Sequence, residues 1–458
     1  MPHYAVSLFI FRRDLRLVDN RALNAALRLS RQIIACFMFD PRQITPHPYL
    51  SQPALKFMLS ALADLEADAT LHNLPIHFVE GHPLAIIESL KQQYAIEAVF
   101  FNRDYTPFSQ QRDGEIATLC DQLQLDLHVL GDALLTEPEH ALKKDGSPYK
   151  VFTPFFNHAR LIPIEPPQPL EKGAFLSVDF ALSLNTITQK IQMMLTSSVD
   201  IKGGRSEALG ILSNLMRYQN YATTRDIPAL DNTSHLSAHL KFGTVSVREV
   251  YLAIAEKLGL DHPLLRQLYW RDFLTHIAFH FPHVFGHAFI EKFDQLPWEN
   301  NPTLFKAWSE GKTGFPIIDA GMRELNSTGF LHNRVRMIVA SFLVKDLQIS
   351  WRWGERYFAQ HLIDYDPCVN NGNWQWAAST GCDAQPYFRI FNPWRQQETF
   401  DPNGDYIYRW LPEIAHLPIK TLHQWDKKHE GNSYPAPIVN HAEQTQRTKA
   451  LFNIADPL

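Results

Sequence analysis

At 458 residues the chain is long enough for two or three domains with sizeable cores. Its 45% hydrophobic and 20% charged residues describe an ordinary soluble globular protein, and a net charge of −5 excludes a wholesale polyanion binder. Any nucleic-acid site must then be a local basic patch.

Cys36, Cys120, Cys368 and Cys382 make no CxxC pair and no zinc spacing, so reduced thiols and a cytoplasmic location are expected. AVSLFIF near the start is too short for a secretory signal and runs straight into FRRDLR. No apolar run reaches membrane-spanning length, so no membrane partner is expected.

In chain order, apolar runs predict strands at 6–11, 33–39, 76–80 and 98–102, and helices at 52–71 and 83–93. LRLVDNRALNAAL reads as a turn entering a helix. This alternation implies a parallel α/β sheet over residues 1–130, with ligands at the C-terminal strand edge. Seven prolines from Pro138 to Pro169 make 131–200 a connector. From Gly203 onward helical periodicity dominates, giving an all-α domain over 201–458.

Some chemistries fail on inspection. Gly311-Lys312-Thr313 lacks the earlier glycine of a phosphate loop, since Lys306 stands there. The 21 histidines form no ligand-spaced set, and no metal site is expected. Thr233-Ser234-His235-Leu236-Ser237 precedes a helix-like run. Its hydroxyls could bind phosphate or simply cap the helix.

The most informative stretch is residues 330–376, FLHNRVRMIVASFLVKDLQISWRWGERYFAQHLIDYDPCVNNGNWQW. Leu331, Val335, Ile338, Val339, Phe342 and Leu343 make one helical apolar stripe, with Asn333, Arg334 and Met337 opposite. Arg334, Arg336 and Lys345 with no carboxylate suggest a basic face, although a core helix with a solvated back also fits. Asp366-Pro367 reads as a helix cap and first residue. Asn370 and Trp374 then share one face, and Trp376 points roughly the other way. So many large, partly polar groups suit planar ligands better than core packing.

HNRVRM, WRWGERYF, LIDYDP, NNGNWQWAAS and RIFNP, with FRRDLRLVDN at the start, resemble the photolyase/cryptochrome family over essentially the whole chain. The likeness is greatest to bacterial class I cyclobutane pyrimidine dimer photolyases. It implies a Rossmann-like antenna domain, an all-α FAD-binding domain, and a carbon–carbon lyase driven by blue light. Reduced FAD would donate an electron to a dimer flipped out of damaged DNA. A monomer is expected.

By the same resemblance, Tyr221, Thr233, Ser234, Leu236, Ser237, Arg271, Asn333, Asp364, Asp366 and Asn370 would hold FAD, with Asn370 at the reactive ring nitrogen. Arg225, Gln267, Trp270, Asn333, Arg334, Met337 and Trp376 would hold the substrate and its DNA. Trp374, Trp351 and Trp298 would carry electrons from surface to flavin.

Three departures bear on this. Gln267 replaces the family's pocket glutamate. Asn333 and Met337 replace the histidines of (6-4) enzymes and cannot act as their acid. Phe108-Ser109 and Phe285 replace the residues that grip folate, so the second chromophore is expected to be a deazaflavin or flavin, or absent. The alternative function is a cryptochrome-like blue-light receptor. A dark flavin oxidoreductase is disfavoured, because no glycine fingerprint follows the first strand.

Overall fold

The computed structural model describes residues 2–179, 181–195, 201–429 and 434–455. The chain forms two compact units. One comprises Met1–Tyr149, Thr153–Met216 and Ser234–Phe279, the other Lys150–Phe152, Arg217–Thr233 and His280–Leu458.

The first unit is built on parallel strands β1 (Tyr4–Phe11), β2 (Ser30–Phe39), β3 (Ile76–Glu80), β4 (Ala98–Asn102) and β5 (Asp126–Leu130), in the order β3-β2-β1-β4-β5. Leu8, Phe9, Ile33, Ile34, Val99 and Phe100 are fully buried, as expected for central strands covered on both faces. Four strands fall where the apolar runs place them, as does the Gln52–Leu71 helix, capped by Ser51.

The Pro107–Leu123 helix and β5 lack a comparable signal. The helix buries few apolar side chains, among them Ile116, Leu119 and Cys120, and β5 is a half-exposed edge strand. Within 131–200 the chain forms the Phe152–Ala159 and Leu184–Gln192 helices and β6 (Ala174–Phe175). β6 pairs with Gln32 and Ile33 of β2, just before β3 begins its pairing at Ala35.

The second unit is helical among the described residues. All six residues of the Leu331–Leu343 stripe are buried in one core with Trp308, Trp351 and Trp374. The Asn333–Ser341 helix passes directly into a π-helical turn, Phe342–Asp346. Lys345 is not on a basic face: it is 1% exposed. Its Nζ donates to the Ser379 hydroxyl at 2.9 Å and the Ala378 carbonyl at 3.3 Å, and lies 4.0 Å from the centre of the Phe452 ring. Burial pushes its ammonium down to about 7.

Candidate active site

Two helices of the second unit, Trp351–His361 and Pro367–Ala378, carry Trp351, Asn370, Trp374 and Trp376. Asp366 caps the latter, accepting from the Cys368 and Val369 amides at 3.0 and 3.2 Å. The two helices meet where Gly354 faces Trp374. A Cβ at Gly354 would lie 2.1 Å from the indole edge and 2.6 Å from Leu343. Gly354→Ala should therefore overpack this contact and cost about 1–3 kcal/mol. Thermal unfolding reads the loss, and an unchanged midpoint would mean that the indole moves aside freely.

A polar layer fixes the same helix. Asn370 donates its amide to the Glu355 carbonyl at 3.0 Å, which leaves its side-chain oxygen as the acceptor. Asn371 donates to the Val284 carbonyl and the Glu355 carboxyl, and Gln375 donates to Val284 and to Asn371. Burial pushes the Glu355 carboxyl up to about 7, against the Asn371 hydrogen bond and the charges of Arg352 and Arg356. Asp364 is held by both terminal nitrogens of Arg336, at 2.9 and 3.2 Å, and Arg336 also donates to the Leu331 carbonyl. Arg336 thus orients a predicted cofactor residue, a role its sequence position did not suggest.

Trp374 and Trp351 belong to one buried core, and the half-buried Trp298 packs against it. The indole N–H groups of Trp351 and Trp298 are buried without an acceptor among the described residues.

Asn333, Arg334, Met337 and Trp376 are none of them buried, and Trp376 packs from outside against the core that holds Trp374. The Asn333 amide lies 3.9 Å from the Met337 sulfur. Arg334 is paired with Asp226 at 3.0 Å and lies over the Phe400 ring at 4.3 Å. Arg225 is half-exposed, 3.9 Å from the same carboxylate. The expected basic face is therefore compensated at each cation: Arg334 by Asp226, Arg336 by Asp364, and Lys345 by burial among acceptors.

Tyr221 is buried in a short helix, and Thr233 ends its segment of the second unit with a buried hydroxyl that has no partner among the described residues. In the first unit, Ser234 and His235 precede the Leu236–Phe242 helix. His235 is left-handed at φ 53° and Ser237 is exposed. Arg271 donates to the Ala133 and Leu240 carbonyls. Gln267 bonds back to the Pro263 carbonyl at 3.1 Å, and Trp270 meets Phe273 edge to face at 5.9 Å.

At the C-terminal sheet edge of this unit, the Ser109 hydroxyl is engaged with Thr106 and Asp104, each at 2.9 Å. The Phe108 ring lies 5.0 Å from the Arg42 guanidinium carbon. Burial raises the Asp104 carboxyl, but Arg13, Lys241 and Arg112 together hold it well below the usual carboxylate range.

These residues fit a flavin dinucleotide. The Thr233 hydroxyl is a buried donor in need of an acceptor such as phosphate, Asn370 presents an oriented acceptor, and Asp366 and Asp364 are fixed carboxylates.

Residues 264–453 match the family model described as the FAD binding domain of DNA photolyase, and residues 7–171 match that of DNA photolyase. The chain is 39% identical to the deoxyribodipyrimidine photo-lyase of Escherichia coli, covering 97% of this chain and 98% of the relative. An archaeal photolyase from Sulfolobus tokodaii, solved with two FAD molecules, is 41% identical with a TM-score of 0.88, over 98% of this chain and all of that one. The cryptochrome of Synechocystis is 28% identical with a TM-score of 0.84, over 98% and 100% of the two chains. With this identity across nearly the full length of both chains, on a parallel-sheet unit and a helical unit carrying Asp366, Asn370 and Trp374, the chain belongs to the DNA photolyase family.

Proposed function

We propose that this protein is a deoxyribodipyrimidine photo-lyase, repairing cyclobutane pyrimidine dimers in DNA under blue light. The observation that carries this reading is the Pro367–Ala378 helix, which turns Asn370 and Trp374 into the core and leaves Trp376 accessible. One face then serves a buried cofactor, and the other offers a flat wall for an extruded pair of adjacent pyrimidines. When bound and reduced, FAD supplies the excited electron that splits the dimer and accepts it back.

The protein's own contribution is orientation, exclusion of water and grip. The Asn370 oxygen can accept from the flavin's ring N–H, and Arg336 holds the Asp364 side chain in one orientation. Asp366, Asn333, Arg271 and Tyr221 line the cofactor, and Thr233, Ser234, Leu236 and Ser237 hold its phosphates. Trp376, Trp270 and Met337 enclose the dimer, Asn333 and Gln267 meet its polar edges, and Arg225 and Arg334 take backbone phosphates. Trp298, Trp351 and Trp374 deliver electrons to oxidised flavin. On this reading residues 201–458 form the catalytic FAD- and DNA-binding domain, 131–200 the linker and 1–130 the antenna domain. It acts as a cytoplasmic monomer; no helix among the described residues is long and apolar enough to cross a membrane.

Irradiating thymine-dimer DNA with the protein tests the reading. Dimer loss in blue light supports it, whereas flavin photochemistry without dimer loss would favour a cryptochrome-like receptor.

A second chromophore, where present, is of flavin or deazaflavin type. The only hydroxyl of the Phe108-Ser109 pair is already engaged, and the aromatic ring remains as a wall. Acid extraction of the purified protein should yield FAD without stoichiometric methenyltetrahydrofolate. Recovery of folate equimolar with FAD would contradict this.

A further inference from the structure

The Asn333–Ser341 helix carries Arg334 but no carboxylate to balance it. The balancing charge comes from 108 residues earlier in the chain. One oxygen of Asp226 sits 3.0 Å from Arg334, and the other 3.9 Å from Arg225. A single carboxylate therefore bridges the two arginines that the proposed function assigns to DNA phosphates.

Both guanidinium groups are also backed by rings. Phe400 lies 4.3 Å from the Arg334 guanidinium carbon, and Tyr221 lies 6.0 Å from that of Arg225. Arg334 is largely covered, at 16% side-chain exposure, while Arg225 and Asp226 stand at 39% and 33%. The open member of the cluster is thus the anion and its outer partner. A phosphate presents a pair of anionic acceptor oxygens as this carboxylate does, and a guanidinium fork donates to either.

We infer that Asp226 is a resident stand-in for a DNA phosphate. It holds Arg225 and Arg334 in place when no DNA is bound, and a backbone phosphate must displace it. This inference rests on the DNA-repair reading and on Arg334 as a phosphate contact. Two cations and one carboxylate leave the cluster with one net positive charge, so it grips as one cation where two are present. The device lowers affinity for damaged and undamaged backbone alike and leaves recognition to the base pocket. Each encounter with undamaged backbone is weakened accordingly, while the partition between damaged and undamaged sites, set by the ratio of the two affinities, is unchanged.

The test is equilibrium binding of the flavin-loaded, full-length protein to duplexes with and without one thymine dimer, across a range of KCl concentrations. Asp226→Asn should tighten both complexes by roughly threefold to tenfold and steepen the slope of log affinity against log salt by about 0.9. The ratio between the two DNAs should stay near that of the wild type. Asp226→Glu should keep the wild-type slope, which a loss of structure would not.

Weaker binding by Asp226→Asn, or an unchanged slope, would overturn the inference and make Asp226 a support for Arg334. Arg334→Ala, measured alongside, should weaken both complexes and flatten the slope by about 0.9. If Arg334→Ala changes nothing, the phosphate role of Arg334 fails and the inference falls with it. If Arg334→Ala flattens the slope and Asp226→Asn does not steepen it, the inference alone fails. Thermal unfolding and flavin content confirm that each variant is folded, and Asp226→Ser repeats the neutralisation should the asparagine variant unfold.

Discussion

With Trp298 replaced by Phe, illumination of the oxidised protein in the presence of an external reductant should leave the flavin oxidised. The same variant, reduced chemically beforehand, should repair dimers at the wild-type rate. The contrast follows from where the three indoles sit. Trp374 and Trp351 are enclosed in the core, and only Trp298 is partly open, packed at 6.1 Å against Phe452. A reductant in solution can restore an electron only where the chain of indoles reaches the surface. Phenylalanine is much harder to oxidise than tryptophan, so in the variant the positive charge stops at buried Trp351 and returns to the flavin. Repair from reduced flavin does not use this route. Visible absorbance under continuous illumination reads the first property, and dimer loss reads the second. Normal photoreduction would mean that electrons leave by another aromatic route, for which buried Trp308, 6.2 Å from Trp374, leads on to the half-buried Tyr357 at 5.5 Å.

Trp376→Ala should weaken binding of dimer-containing DNA by about 1–3 kcal/mol, the cost of losing one base–aromatic stacking surface. That is roughly a fivefold to 150-fold rise in Kd. Trp376 sits on the Pro367–Ala378 helix two residues beyond Trp374, which rotates it away from the buried face. The flavin content should therefore stay close to wild type. Titration of a labelled dimer duplex gives the affinity, and absorbance of the purified protein gives the flavin. A variant that loses FAD while keeping DNA affinity would reverse the assignment of the two faces.

Periodicity made much of this legible. The stripe from Leu331 to Leu343 predicts its own burial, because six apolar residues at helical spacing can hide together only against a core. Strands β1 to β4 were visible as short apolar runs, and the Asp366-Pro367 cap by its residue types alone. Gly354, in the middle of an aromatic helix, marks a close contact whose partner, the Trp374 indole, is visible only in the structure.

Lys345 is the instructive failure. It was read with Arg334 and Arg336 as part of a basic face, yet it follows Ile338 by seven positions and Phe342 by three, a spacing that belongs to the buried face. Its charge argued the other way. Burial is made tolerable by Ala378, Ser379 and Phe452, distant acceptors and a ring that no local pattern reveals. Asp226 escaped notice for a related reason. An ion pair spanning 108 residues leaves no periodic trace.

The most direct test of the whole account is turnover. Pre-reduced protein is mixed, without oxygen, with a large excess of an oligonucleotide containing one thymine dimer, and dimer content is followed by chromatography in darkness and in blue light. The account predicts many dimers repaired per protein in the light, none in the dark, and flavin still reduced at the end, because each electron returns. Repair that stops at one dimer per flavin, proceeds equally in darkness, or fails altogether would contradict it.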